Sequence, residues 1–263
     1  MLKNLLKYDL KWVYKVVMVF YVLSVISAAF TRLFYSVENS VLFSVLGGIF
    51  RGILIGLLIN ALINGLIRCW VRFATNVYKD ESYLTHTLPV AKKTIFLSKV
   101  ITAIVCSFTS VLVALLSVFI AFYSEANMSA LKKYLKVAAS TYDMSVLGFL
   151  LVVAIVVFLE IAFVMLVGYT GIIIGHKFSK NKNSLSVIIS VVLYFITSSL
   201  TLGIVYIVGL FNKGVMNIIN TTDIVNMNAI KTVMFAGIGI YLVYNIVYYI
   251  VGRKLLDQGV NVE

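Results

Sequence analysis

Arg51 and Glu160 stand out as ionisable side chains set within long apolar runs of this 263-residue chain. A charge in hydrocarbon is expensive, so each invites a functional reading. Glu160, in "VVFLEIAFV", reads either as a carboxyl that fixes helix packing through hydrogen bonds or as a group lining a substrate path. Arg51 carries the same two readings. If its apolar run begins near Gly48, its long side chain can also reach an interface at little cost.

Residues for conventional catalysis or metal binding do not assemble into a recognisable pattern. The two histidines, His86 and His176, lie in different polar connections and outside any H-E-x-x-H arrangement, so no metal site is expected. Cys69 and Cys106 are too few and too isolated for a disulfide framework, and read as structural. The basic stretch "GHKFSKNKNS" from Gly175 lacks the second glycine and spacing of a nucleotide phosphate loop. A G-x-S-x-G elbow and a paired Glu-Glu are also absent. The chain is therefore expected to have no catalytic residues and to bind no ATP of its own.

Small and amide side chains do recur at a fixed interval. Gly48, Gly52, Gly56, Asn60, Asn64 and Arg68 follow one another every four residues, a slowly rotating stripe along one helix. Small residues let backbones approach and amides bond across the gap, so the stripe reads as a packing face within or between subunits. The sharper reading makes Asn60 and Asn64 part of a polar translocation surface. "GIIIG" at 171–175 has the same small-x-x-x-small spacing and reads as packing.

The elements that must carry these residues are set by composition. Apolar residues make up 62% of the chain and charged ones 12%, far from the balance of a water-soluble domain. Six runs are long enough to cross a hydrocarbon core of about 30 Å, at 16–35, 41–68, 95–123, 146–175, 185–211 and 232–251. The first lacks a clean cleavage site and is expected to remain in the chain. The net charge of +12 is spread over short connections, the habit of membrane proteins rather than of nucleic-acid binders.

Alternate connections differ in charge. One set, with both chain ends, holds fifteen Lys and Arg and the other six, which places both termini in the cytoplasm by the positive-inside rule. In "MLKNLLKYDLKWVYK" the lysines recur every fourth residue opposite Leu2, Leu5, Leu6, Leu10 and Val13. Residues 1–15 therefore read as an amphipathic helix in the inner interface, or as the charged flank of the first span. The connections 124–145 and 212–231 have room for a short helix each, and no separate soluble domain fits.

The longest polar island, "KDESYLTHTLPVAKKTIFLSK" at 79–99, holds the only proline. Pro89 disfavours helix at the residue before it and cannot donate a backbone hydrogen bond, so it should end a short helix over 81–88. Tyr83, Leu84 and Leu88 would then form an apolar knob suited to a partner's groove, with Lys92 and Lys93 left for lipid phosphates or acidic residues.

Glu81, Tyr83, Leu84, Thr87, Leu88, Pro89, Lys92 and Lys99, placed between spans two and three, resemble the pattern of permease subunits of ABC-2 type transporters. The tail "GRKLLDQGVNVE" also looks like the end of many such permeases from Gram-positive bacteria. The resemblance implies an all-α polytopic membrane protein with six transmembrane helices and a single permease domain over 1–263 without a nucleotide-binding domain. It also implies the amphipathic interfacial helix at 1–15 and a cytoplasmic coupling helix within 79–93. On this reading Glu81, Tyr83, Leu84, Thr87, Leu88 and Pro89 contact a separate ABC ATPase subunit, which binds ATP and Mg. A second permease copy and the lipids of a bacterial cell membrane complete the assembly.

The spans are so apolar that a hydrophobic or amphipathic cargo is more credible than a sugar or an ion. Exporters of amphipathic peptides, such as bacteriocins or phenol-soluble modulins, are the most similar group, with drug or lipid export as the near alternative. Two other classes stay open: an intramembrane enzyme using Glu160, and a substrate-binding subunit of an importer.

Overall fold

The computed structural model describes residues 1–37, 40–87, 89–220 and 227–259. Among them the chain is all-α, and nine helices are present. Six are long and apolar enough to cross a membrane: α1 (Leu2–Tyr35), α2 (Val41–Val77), α4 (Lys92–Phe122), α6 (Val146–Gly175), α7 (Lys182–Phe211) and α9 (Met227–Asp257). The chain is thus a multi-pass membrane protein. Three shorter helices connect them: α3 (Ser82–Thr87), α5 (Glu125–Thr141) and α8 (Lys213–Asn220).

The amphipathic segment 1–15 forms the first turns of α1 and runs into the first span without a break. No glycine or proline interrupts residues 2–35, so nothing breaks the ladder of hydrogen bonds. At ~1.5 Å per residue α1 is about 51 Å long, well beyond the ~30 Å of hydrocarbon. One face is buried throughout, through Asp9, Val13, Val17, Tyr21, Ser24, Ala28 and Thr31 at helical spacing. Lys3, Lys7, Lys11 and Lys15 are exposed on the other. Helix α2 continues past the expected end of its span to Val77, and α4 begins at Lys92, which brings two more polar helix ends to the start of α1.

By packing, the chain falls into two compact units, Met1–Leu131 and Lys132–Asn261, with the division inside α5. In the first, α1 packs on α2 and α4, and α2 on α4. Hydroxyls join α1 to α4: Tyr21 Oη and Ser110 Oγ are 2.6 Å apart, as are Tyr14 Oη and Thr109 Oγ1. Such bonds hold helices together where burial of apolar surface supplies no drive. Cys69 and Cys106 are buried free thiols.

In the second unit α6 packs on α7 and α9, and α8 touches both α7 and α9. The Gly171 and Gly175 pair is where α6 meets α7. A Cβ on Gly171 would stand 2.8 Å from Ser190 Cα, and one on Gly175 2.6 Å from Ser186 Cα. Only glycine allows that approach, so "GIIIG" is a packing motif. Phe163 is ringed by Tyr194, Tyr241, Tyr244 and Tyr248 at centroid distances of 5.2 to 5.9 Å. Most of the apolar surface of α7 and α9 faces outward, as lipid-facing helices require.

Candidate functional site

Four charged side chains meet at one end of the first unit, where the start of α1, the end of α2 and the start of α4 converge on α3. Asp9 on α1 is the hub. Its Oδ1 accepts from Arg72 Nε at 3.0 Å and from Lys99 Nζ at 2.6 Å, and its Oδ2 accepts from Ser98 Oγ at 2.9 Å. Arg72 Nη1 in turn donates to both oxygens of Glu81, at 2.7 and 2.6 Å, and Asn76 Nδ2 adds a third bond at 3.0 Å.

The helical periods explain the meeting. Arg72 and Asn76 are one turn apart on α2 and face Glu81 together, while Arg68 and Arg72 lie over the Trp12 ring at 4.9 and 5.4 Å. Ser98 and Lys99 reach the same carboxylate from α4. Asp9, Arg72 and Lys99 are 2%, 7% and 2% exposed, so the charges are held largely out of water. Two carboxylates balance two cations, which is the condition for burying any of them.

Glu81 is the link from this cluster to α3. Its backbone carbonyl accepts from Thr85 Oγ1 at 3.0 Å, and the turn before α3 is closed by Ser82 N–H donating to Lys79 O at 2.7 Å. Ser82 and Thr85 face inward and are buried. Tyr83 and Leu84 point outward at 75% and 72% exposure, joined by exposed Thr87. Helix α3 is described over Ser82–Thr87, ahead of Pro89. Leu88 lies outside the described residues. Beside the turn, Tyr78 packs edge-on against Phe73, and burial pushes its phenol pKa well above the usual range.

Glu81, read as part of a partner contact, pairs with the buried Arg72 guanidinium while its own side chain stays 38% exposed. Asp9, Arg72, Asn76 and Ser98 were not singled out by motif or resemblance. Their signal was nonetheless present: Asp9 is the only acidic residue among 1–37 and falls on the apolar stripe of α1 with Leu2, Leu6 and Val13.

The remaining candidates are dispersed. Asn60 and Asn64 each donate to a carbonyl one turn back on α2, Gly56 O and Asn60 O, both at 2.9 Å. A Cβ on Gly48, Gly52 or Gly56 would meet no atom within 4 Å, so this part of the stripe is not a packing face within the described chain. Arg51 lines a cleft in the first unit, 5.6 Å from the centre of the Phe122 ring. Glu160 belongs to the second unit, in a cleft of about 180 Å³ with Val156, Leu159, Met234, Gly237 and Tyr241. His176 is buried at the end of α6 with its Nδ1 2.9 Å from Ile172 O. Among the described residues no group of three or more His, Cys, Asp or Glu stands together as a metal cage would need.

Fold and site together define a multi-pass, all-α membrane protein whose short helix between the second and third long helices is tied to a buried ion cluster. Compared with protein-family models, curated proteins and solved structures, the chain matches none of them.

Proposed function

We propose that this chain is the permease subunit of an ATP-driven exporter of the ABC-2 type. It lies in a bacterial cell membrane with both termini cytoplasmic and works as a pair with separate ATPase subunits. The observation that supports the reading is the geometry of α3: Tyr83 and Leu84 are offered to solvent while Glu81 ties the same helix to Arg72.

A lever needs both features. An apolar knob gives a partner something to grip, and a rigid tie to the long helices carries its movement onward. Arg72 passes the connection to Asp9, and Asp9 to Lys99, so a push on α3 acts on α1, α2 and α4 together. ATP and Mg would be held by the partner, and this chain would supply a path and two alternating states. The apolar spans suit a hydrophobic or amphipathic peptide as cargo.

The test is co-purification of an ATPase with a phosphate loop, encoded next to this chain, with the wild type and with a Tyr83→Ala/Leu84→Asp variant. The variant should lose the partner and export while its own unfolding temperature stays unchanged. Intact partner binding and export in the variant would sink the reading.

A further inference from the structure

We infer that the cleft at the other end of the first unit, between α1, α2 and α4, is a binding site for the phosphate of a lipid headgroup. The cleft, about 480 Å³, is lined by Arg32, Arg51, Tyr35, Ser36, Tyr123 and Asn127, among others. This inference does not depend on the permease reading.

Among the described residues no acidic side chain pairs with the two cations of the cleft. Arg32 lies 5.4 Å from the centre of the Tyr123 ring and Arg51 5.6 Å from that of Phe122. A ring face attracts a guanidinium, but leaves its in-plane N–H donors available. Among the described residues no carboxylate is within ion-pair distance of either arginine, in contrast to Arg72, which has two. Two of the other polar side chains help finish helix ends: Ser36 Oγ donates to Leu33 O, and Asn127 Nδ2 donates to Phe122 O. The two guanidiniums are the charged groups that line the cleft, and their planar forks fit phosphate oxygens.

Helix-end electrostatics account for Arg32, which sits in the last turn of α1, but not for Arg51, which stands well inside α2. Depth points to lipid as the source of the phosphate. Asp9 and Arg32 are about 35 Å apart along α1, and Arg72 and Arg51 about 32 Å apart along α2, at ~1.5 Å per residue. That is the thickness of the hydrocarbon core, about 30 Å, so with the ion cluster at one membrane surface this cleft lies at the opposite headgroup layer. Tyr35 and Tyr123 at its rim are the residue type enriched at that level.

The full chain, purified and delipidated in a neutral detergent, should be titrated with dioleoylphosphatidylglycerol and followed by native mass spectrometry. Wild type should retain one lipid that an Arg32→Gln/Arg51→Gln variant holds at least tenfold more weakly. Dioleoylglycerol, which has the same chains and no phosphate, should not be retained. Arg51→Lys preserves the charge, and with it the fold, and should weaken retention several-fold through loss of the planar fork. Equal retention by wild type and the glutamine variant, or equal retention of the phosphate-free lipid, would overturn the inference. Inorganic phosphate forms a further arm: if it binds with the same arginine dependence and the lipid does not, the lipid assignment is wrong.

Discussion

Lys99 Nζ on α4 and Asp9 Oδ1 on α1 are 2.6 Å apart, with both side chains nearly sealed from solvent. Ninety positions separate them in the sequence, yet this pair, with Arg72 on the same oxygen, closes one end of the first unit. A carboxylate so placed does more than stabilise: it makes three long helices answer to one another.

Asp9→Asn should be strongly destabilising. The substitution removes the carboxylate 2.6 Å from the buried Lys99 and one of the two carboxylates that pair with Arg72, a change that costs about 3–5 kcal/mol. Thermal unfolding in detergent measures it. The double variant Asp9→Asn/Lys99→Met should recover part of the loss, because a buried cation is then removed together with the carboxylate that balanced it. A single variant as stable as wild type would mean that the cluster does not hold the helix ends.

Glu81→Gln should act locally. The Glu81 side chain is 38% exposed, so water screens the pair with Arg72, and the expected cost is about 1–2 kcal/mol, below that of Asp9→Asn. The sensitive readout is amide hydrogen exchange in Ser82–Thr87, which should speed up while the long helices stay protected. Unchanged exchange there would show that Glu81 is not the tether of α3.

Glycines in the same chain should respond in opposite ways. Gly171→Ala or Gly175→Ala drives a methyl group into the backbone of Ser190 or Ser186, and should destabilise the second unit by about 1–3 kcal/mol or more. Gly203→Ala on α7 meets no atom within 4 Å and should be neutral or stabilising by up to ~1 kcal/mol, since alanine favours helix. Unfolding temperatures of the three variants check the contrast.

Tyr78 gives a pH dependence. Burial raises its native pKa above the ordinary 10.0, so the unfolded chain loses the phenolic proton first as pH rises. The stability from keeping Tyr78 neutral is full below the unfolded pKa and is lost as pH climbs from there through the higher native value. Between about pH 9 and about pH 11 the unfolding temperature of Tyr78→Phe should therefore fall less than that of wild type. An identical fall would show that Tyr78 does not contribute.

Much of the fold was legible in the sequence because it depends on local quantities. Six apolar runs of membrane length define six long helices wherever they pack, and the polar island that holds Pro89 carries the short helix α3. The site was legible only in part. The outward knob of Tyr83 and Leu84 follows from a short helix in a polar island, whereas the pairing of Glu81 depends on where Arg72 lies.

The sequence by itself determined the class of molecule, its helical content and the presence of a polar island between the second and third spans. Only the tertiary structure decided which of two similar glycine series brings helices together: Gly171 and Gly175 meet α7 backbone, while Gly48, Gly52 and Gly56 face open space. It likewise decided that Asp9, a lone acid among lysines, is the buried hub for Arg72 and Lys99. The physical reason is the same in both cases. Hydrophobic length and helix breaking are properties of consecutive residues, but the partner of a small face or a buried charge comes from a distant part of the chain.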